Sequence, residues 1–209
     1  IEMFFATTRI GAIYVPLNFR LTASELTYIL GDCAPSAVFY DQAFKAVIDD
    51  IDAVAMPHLT IETTLDGRDS AYERCLMTNE AALPAAPANG DTLSMIMYSS
   101  GTTGKPKGVI YTHRMMLASA LNLLQPSEAS PETRALNVMP LFHIGGMQFV
   151  LMTMKCGIPY LMMKSFDPTA MLAAIGDPEL GITNIGGVPA MWSAMSLAPE
   201  IESTDLSRL

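Results

Sequence analysis

The chain has 209 residues, of which 50% are hydrophobic and 16% charged, so it can bury a sizeable core and is not a disordered chain. Its 12 basic residues against 21 acidic ones give a formal net charge of −9. This balance leaves no general basic surface, which excludes a partner bound through a nucleic-acid backbone but not a local site for a small anion.

Short apolar runs alternate with helical patterns along the chain, which is typical of βα units around a largely parallel sheet. Strands are predicted at residues 12–16, 37–40, 58–61, 93–98, 109–112, 135–139, 158–163 and 182–186. Helices are expected between most of these strands. The predicted fold class is therefore α/β.

Two of the helices are bounded by cap signals. The tetrapeptide TASE at 22–25 has the form of a capping box, and it predicts a helix over 24–30 that ends at Gly31. A second helix is bracketed by Pro168 in its first turn and by Gly176 just past its end.

The composition changes once, at the Ala- and Pro-rich stretch 81–91. We interpret this stretch as a surface connection before the next strand, in preference to a domain boundary.

Residues 135–163 are mostly apolar, but polar residues and two prolines interrupt them, so no uninterrupted helix there is long enough to span a bilayer. A buried helix between two strands is predicted instead. The 16 methionines, many of them in this region, favour a malleable core, with a pocket for a flexible apolar ligand as the alternative.

The three cysteines, Cys33, Cys75 and Cys156, lie far apart without CxxC spacing or a nearby histidine. This pattern disfavours a zinc site and a disulfide framework, and it favours a reducing, cytoplasmic location. The chain opens on Ile1 without a signal-peptide pattern, and we expect sequence upstream of it.

A loop rich in small donors follows the strand at 93–98 and reads YSSGTTGKPKG over 98–108. Ligand loops of α/β folds lie at the carboxyl ends of parallel strands. Glycines let backbone N–H groups approach a ligand, while hydroxyls and lysines add donors and charge, so the loop predicts a phosphate cradle. Its contributing residues are Ser99, Ser100, Gly101, Thr102, Thr103, Gly104, Lys105 and Lys107.

This loop differs from the common nucleotide loop GxxxxGK[ST], which opens a helix. Here only two residues separate Gly101 from Gly104, and Pro106 follows Lys105 where a Ser or Thr would bind magnesium. The next residues, 109–111, favour β structure. A different kind of phosphate loop is therefore predicted.

YSSGTTGKPKG resembles the phosphate-binding signature of the AMP-forming adenylating enzymes, which include acyl-CoA synthetases, aryl-CoA ligases, firefly luciferases and peptide-synthetase adenylation domains. Ser99 stands where the family usually has Thr. Stretches 11–30, 139–147 and 183–192 also resemble family segments, in the same order.

The resemblance implies that residues 1–209 are part of the amino-terminal adenylation domain, with stacked βαβ subdomains. The family's YGxTE segment and its carboxyl-terminal domain with the catalytic lysine are absent from the sequence, so no catalytic residue is assigned and the isolated fragment is expected to be inactive.

The reaction implied by the resemblance joins a carboxylate to ATP as an acyl-adenylate with release of pyrophosphate, after which a thiol, usually of coenzyme A, displaces AMP. The expected small-molecule partners are a carboxylic acid, ATP with Mg²⁺, and coenzyme A. Residues 99–104 would wrap the β and γ phosphates, with Lys107 supplying charge and Lys105 contributing secondarily. Charge that builds on the departing pyrophosphate needs such preorganised donors. No metal ligand is predicted among the side chains.

His143 matches the family histidine that lies beside the substrate carboxylate, and a buried or helix-capping histidine is the alternative. Gly145 and Gly146 would open room for an acyl group beside Met147, or they would serve helix packing. The small and Met-rich surroundings favour a fatty-acyl-CoA ligase. The alternatives are an aryl-CoA ligase and a catalytically silent ATP-binding relative.

Overall fold

The computed structural model describes residues 1–64, 69–78, 89–99, 101, 104–124 and 127–209. The chain divides into two compact units. The first comprises Ile1–Pro87 with Ile96–Ile110, and the second comprises Ala88–Met95 with Tyr111–Leu209.

The first unit places helix α2 against a pair of parallel strands. Its elements are α1 (Glu2–Ile10), α2 (Ala23–Cys33), β1 (Ala37–Asp41), a 3-10 turn (Gln42–Phe44), α3 (Lys45–Asp49), β2 (Leu59–Thr63) and α4 (Ala71–Thr78). Strand β1 runs parallel to β2, with Ala37 opposite Leu59. Leu26 and Leu30 of α2 are buried with Val38 of β1, so α2 is fixed on this sheet by its apolar face.

Two further strands, β3 (Leu93–Ser99) and β4 (Lys107–Thr112), pair with each other in a two-stranded sheet. The residues between them carry the predicted phosphate loop.

The second unit is built on a three-stranded parallel sheet with helices packed on both faces. Its elements are α5 (His113–Leu124), β5 (Ala135–Asn137), α6 (Ile144–Cys156), β6 (Tyr160–Met162), α7 (Pro168–Gly176), β7 (Asn184–Gly186), α8 (Pro189–Ser196) and a 3-10 turn (Pro199–Glu202). The strand order is β6-β5-β7, with β5 in the centre.

Successive residues of β5 point to opposite faces of that sheet. Ala135 packs against Phe149 and Met152 of α6, while Leu136 packs with Met171 and other buried residues of α7. This layering, with parallel strands between helices, confirms the predicted α/β class and the buried helix between two strands. Among the described residues, none of the helices combines the length and apolar character that crossing a bilayer requires.

The sequence missed some element boundaries. The stretch predicted as a strand at 12–16 makes a single bridge at Tyr14, whose carbonyl accepts from the N–H of Ile96, and Pro16 has no N–H to extend the pairing. Strands β5, β6 and β7 each have three residues, fewer than predicted. The predicted connection at 81–91 lies outside the described residues except at 89–91.

Both cap signals are present, but the helix ends differ from the prediction. Helix α2 passes through Gly31 and ends at Cys33. Its C-cap is Ala34, a left-handed residue with φ 41° whose N–H donates to the carbonyl of Leu30. No steric constraint requires glycine at position 31, because a Cβ there would meet nothing within 4 Å. Asp167 caps α7 by accepting from the N–H of Ala170, and Gly176 is the last helical residue.

Removing the cap of α2 is expected to weaken the first unit. The Thr22 hydroxyl accepts from the N–H of Glu25 at 3.4 Å, and the Glu25 carboxylate accepts from the N–H of Thr22 at 2.8 Å. Thr22→Ala should therefore lower the free energy of unfolding by about 1 kcal/mol, measured by urea denaturation. Glu25→Gln is the comparison, since glutamine keeps the capping box without the charge and should lose less stability than Thr22→Ala.

The same cap gives a pH dependence. The hydrogen bonds from the backbone and then the side chain of Thr22 lower the pKa of Glu25 from 4.5. Its contribution should be present above pH 4.5 and lost as the pH falls through the folded-state pKa. Equal losses of stability in Thr22→Ala and Glu25→Gln would contradict the role of the box.

Candidate functional site

The predicted phosphate loop connects β3 to β4, and its first two glycines meet backbone requirements. Gly104 has φ +87°, a conformation that favours glycine, and its N–H donates to the carbonyl of Gly101 at 3.1 Å. A Cβ at Gly101 would collide with the carbonyl oxygen of Lys105. The sequence therefore places glycine where this turn needs it.

The hydroxyl donors of the loop are described only at one end. Ser99 is exposed at the end of β3, whereas Ser100, Thr102 and Thr103 lie outside the described residues. Gly101 is half-buried and Gly104 is exposed.

Lys107 is the first residue of β4, two residues before the strand predicted from sequence. Its side chain is exposed, and its Cγ lies 3.6 Å from the position that a Cβ on Gly101 would take. The three ion pairs found among the described residues do not include it. The stem of this side chain therefore lies beside Gly101, and its ammonium group has no carboxylate partner in the described part of the chain, as a phosphate-binding lysine requires.

Two residues of α2, which the sequence analysis did not select, contact this loop. The hydroxyl of Tyr98 donates to Asp32 Oδ2 at 2.6 Å, and Lys105 Nζ lies 5.4 Å from the centroid of the Tyr28 ring. Burial first, and then the hydrogen bond to Asp32, raise the pKa of Tyr98 well above its ordinary value, so the hydroxyl stays a donor. The four-residue spacing of Tyr28 and Asp32 places both on one face of α2, but it does not indicate what that face contacts.

In the second unit, His143 is the N-cap residue of α6, and its side chain makes no capping hydrogen bond. The ring is exposed and packs on Phe142, with the ring centroids 4.5 Å apart. The two alternatives to a pocket role were a buried histidine and a helix-capping histidine. The His143 side chain is neither.

The two glycines after His143 differ in their surroundings. A Cβ at Gly146 would collide with the carbonyl oxygen of Pro140 and lie 2.9 Å from that of Met139, so close packing against the preceding loop accounts for this glycine. At Gly145 a Cβ would meet only the Sδ of Met139, at 3.7 Å. Met147 is 1% exposed and belongs to the core.

The loop after β5 and the end of β7 lie together, because these strands are neighbours and parallel. A Cβ on Gly186 would lie 3.0 Å from Met139 Cε and 3.0 Å from the Phe149 ring. The structure thus brings the segments 139–147 and 183–192 to the carboxyl edge of one sheet, where α/β folds bind ligands.

The chain has an α/β fold in which a glycine loop joins two paired strands. The lysine at the end of the loop has no ion-pair partner in the described part of the chain. These features are typical of a nucleotide-binding protein whose phosphate loop does not open a helix. The AMP-binding enzyme family matches residues 1–209, and the chain belongs to that family.

Several of the similar curated proteins are CoA ligases or CoA synthases. The chain is 35% identical over 203 residues to the long-chain-fatty-acid–CoA ligase FadD13 of Mycobacterium tuberculosis, covering 97% of this chain and 40% of that protein. It is 35% identical over 214 residues to an indoleacetate–CoA ligase of Aromatoleum aromaticum (98% and 40%) and 33% identical over 210 residues to a feruloyl-CoA synthase of an Amycolatopsis species (100% and 40%). The chain therefore spans about two fifths of the length of these relatives.

The fold is also that of a solved relative. The inhibitor-bound amino-terminal domain of FACL13 from M. tuberculosis matches with a TM-score of 0.86 and 32% identity, covering 99% of this chain and 51% of that one.

Proposed function

We propose that this chain belongs to an AMP-forming acid:thiol ligase, which activates a carboxylic acid with ATP as an acyl-adenylate and transfers the acyl group to coenzyme A. The observation that carries the proposal is the turn at Gly101 and Gly104, which lies beside Lys107, a lysine without an ion-pair partner among the described residues. Membership of the AMP-binding enzyme family supports it.

The proposed chemistry needs little beyond positioning and charge. A carboxylate attacks the α-phosphorus of ATP, the bond to the pyrophosphate breaks, and negative charge grows on the departing group. Backbone N–H groups and hydroxyls of residues 99–104, together with the Lys107 ammonium, would bind this group. The substrate is ATP with Mg²⁺. Mg²⁺ usually keeps several water ligands and binds through substrate phosphates, so it would accompany the nucleotide.

The acid is proposed to bind in the second unit near the start of α6. The exposed His143 ring could orient the carboxylate in either protonation state, with Gly145 leaving space beside it. The half-buried Met139, which lies beside the positions that a Cβ on Gly145 or Gly186 would take, gives this edge an apolar and flexible wall. We therefore propose a fatty acid as the substrate.

An aromatic acid is the second candidate, because two of the similar proteins act on indoleacetate or form feruloyl-CoA. A panel of aliphatic and aryl acids distinguishes the two by kcat/KM. ATP binding without pyrophosphate release for any acid would instead favour a catalytically silent relative. A cytoplasmic location is also proposed, because the cysteines are few, odd in number and far apart in the sequence.

Lys107→Ala in the full-length protein is expected to lower carboxylate-dependent ATP–pyrophosphate exchange by about 10²-fold, the usual cost of losing one charge-stabilising group. The fold should be retained, because the side chain is exposed at the start of β4. Lys155→Ala, which removes an exposed lysine near the end of α6, is the matched control and should leave exchange unchanged. Wild-type exchange in Lys107→Ala would remove this lysine from the site.

A further inference from the structure

We infer that helix α2 anchors the phosphate loop at both of its ends, with Asp32 holding Tyr98 and Tyr28 holding Lys105. These residues are assigned as positioning residues and not as groups that touch the nucleotide. The consequence for catalysis rests on the proposed function, whereas the anchoring itself is a property of the loop.

The first anchor fixes the residue that leads into the loop. The Tyr98 hydroxyl donates to Asp32 Oδ2 at 2.6 Å, which is short, as expected when the acceptor carries a charge. A Cβ on Gly108 would lie 3.4 Å from the Cζ of Tyr98 and 2.9 Å from Ile96, so the tyrosine ring lies close over β4 just after Lys107. Holding this ring therefore holds both strands that flank the loop.

The second anchor acts near the far end of the loop. The Lys105 ammonium lies over the Tyr28 ring at 5.4 Å from its centroid, within the range of a cation–π interaction. Lys105 is thereby accounted for by a contact with the helix, and Lys107 is left to supply charge to phosphate. The neighbouring lysines then have different roles.

One helix face provides both anchors. Tyr28 and Asp32 are four residues apart in α2, so their side chains emerge on the same side. The helix is itself held firmly in the fold, because its side chains Leu26, Ile29 and Leu30 are only 6%, 1% and 2% exposed. The capping box fixes its first turn.

Such anchoring matters because a loop rich in glycine has a large conformational entropy to lose when it closes on phosphate. A loop already held at residues 98 and 105 presents its N–H groups without that cost. The Tyr98–Asp32 pair is partly exposed, so its effect on global stability is small and its effect on the loop is local.

The structure offers a matched control of the same chemistry. The hydroxyl of Tyr72 donates to Glu2 Oε2 at 2.9 Å, a second tyrosine–carboxylate pair of the first unit. Tyr72→Phe removes that bond between α4 and α1, and Tyr98→Phe removes the bond at the loop. Both substitutions keep the ring.

The test is hydrogen exchange of the amides at 99–107 in the full-length protein without nucleotide. Tyr98→Phe and Asp32→Ala are each expected to speed exchange there about fivefold, as for the loss of one partly exposed charged hydrogen bond, whereas Tyr72→Phe leaves it unchanged. Tyr28→Leu should also speed exchange, and Tyr28→Phe should not, since it keeps the aromatic ring. Unchanged exchange in Tyr98→Phe and Asp32→Ala, or an equal effect of Tyr72→Phe, overturns the inference.

Steady-state kinetics separate this inference from the proposed function. In an active enzyme, Tyr98→Phe should raise the KM for ATP about fivefold and leave the KM for the acid unchanged, since it loosens only the phosphate loop. Equal rises in both KM values would overturn the positioning role. If the wild-type protein activates no acid while exchange at 99–107 still responds to Tyr98→Phe and Asp32→Ala, the anchoring stands and the proposed function fails.

Discussion

Gly101→Ala should lower ATP–pyrophosphate exchange by about 10²-fold or more, the largest effect expected for a single methyl group in this chain. The added Cβ would collide with the carbonyl oxygen of Lys105. The backbone can relieve that collision only by opening the turn in which the N–H of Gly104 donates to the carbonyl of Gly101. Donors displaced by about 1 Å from the phosphate lose most of their effect on the reaction.

Gly31→Ala is the matched control for this substitution, because a Cβ there meets nothing within 4 Å and the residue lies inside α2. It should keep full exchange activity and gain a little stability through higher helix propensity. Titration calorimetry with ATP shows whether Gly101→Ala has lost binding or only turnover. Wild-type binding and exchange in Gly101→Ala would mean that the loop geometry does not set activity.

The second large effect is on stability, at the start of α6. Gly146→Ala is expected to lower the free energy of unfolding by about 1–3 kcal/mol, the usual cost of forcing an atom into a packed interior. Its Cβ would meet the carbonyl oxygens of Pro140 and Met139, which belong to the backbone and cannot rotate away.

Gly145→Ala, one residue earlier on the same helix, is the natural comparison. Its Cβ would make an ordinary contact with Met139 Sδ at 3.7 Å, so this variant should be as stable as the wild type or about 0.5 kcal/mol more stable. Urea unfolding measures both, provided that the slope with urea concentration stays the same. Greater loss at Gly145 than at Gly146 would contradict the packing account.

Local patterns in the sequence were sufficient for the α/β class, the capping box of α2 and the glycines of the phosphate loop. Each depends on neighbours within a few residues, as in the reciprocal hydrogen bonds of Thr22 and Glu25. The end of α2 was misplaced because Gly31 is a common stop signal, whereas the left-handed residue that ends the helix is Ala34.

Features that depend on distant parts of the chain could not be predicted in the same way. Tyr98 and Asp32 are 66 residues apart, and nothing near either one indicates the hydrogen bond. The packing of Gly146 on the Pro140 carbonyl and the exposure of the His143 ring likewise depend on how the loop after β5 folds back on α6. Resemblance to a family selected these positions, but only the structure separates the packing glycine from the open one.

The central claim, that the intact protein activates carboxylic acids through an adenylate, is tested most directly by product analysis. The full-length protein is incubated with ATP, Mg²⁺, coenzyme A and a panel of fatty and aryl acids, and nucleotides and thioesters are quantified together. We expect AMP and pyrophosphate in equal amounts with an acyl-CoA, all dependent on the acid. Formation of ADP with the thioester, or release of no AMP with any acid, would contradict it.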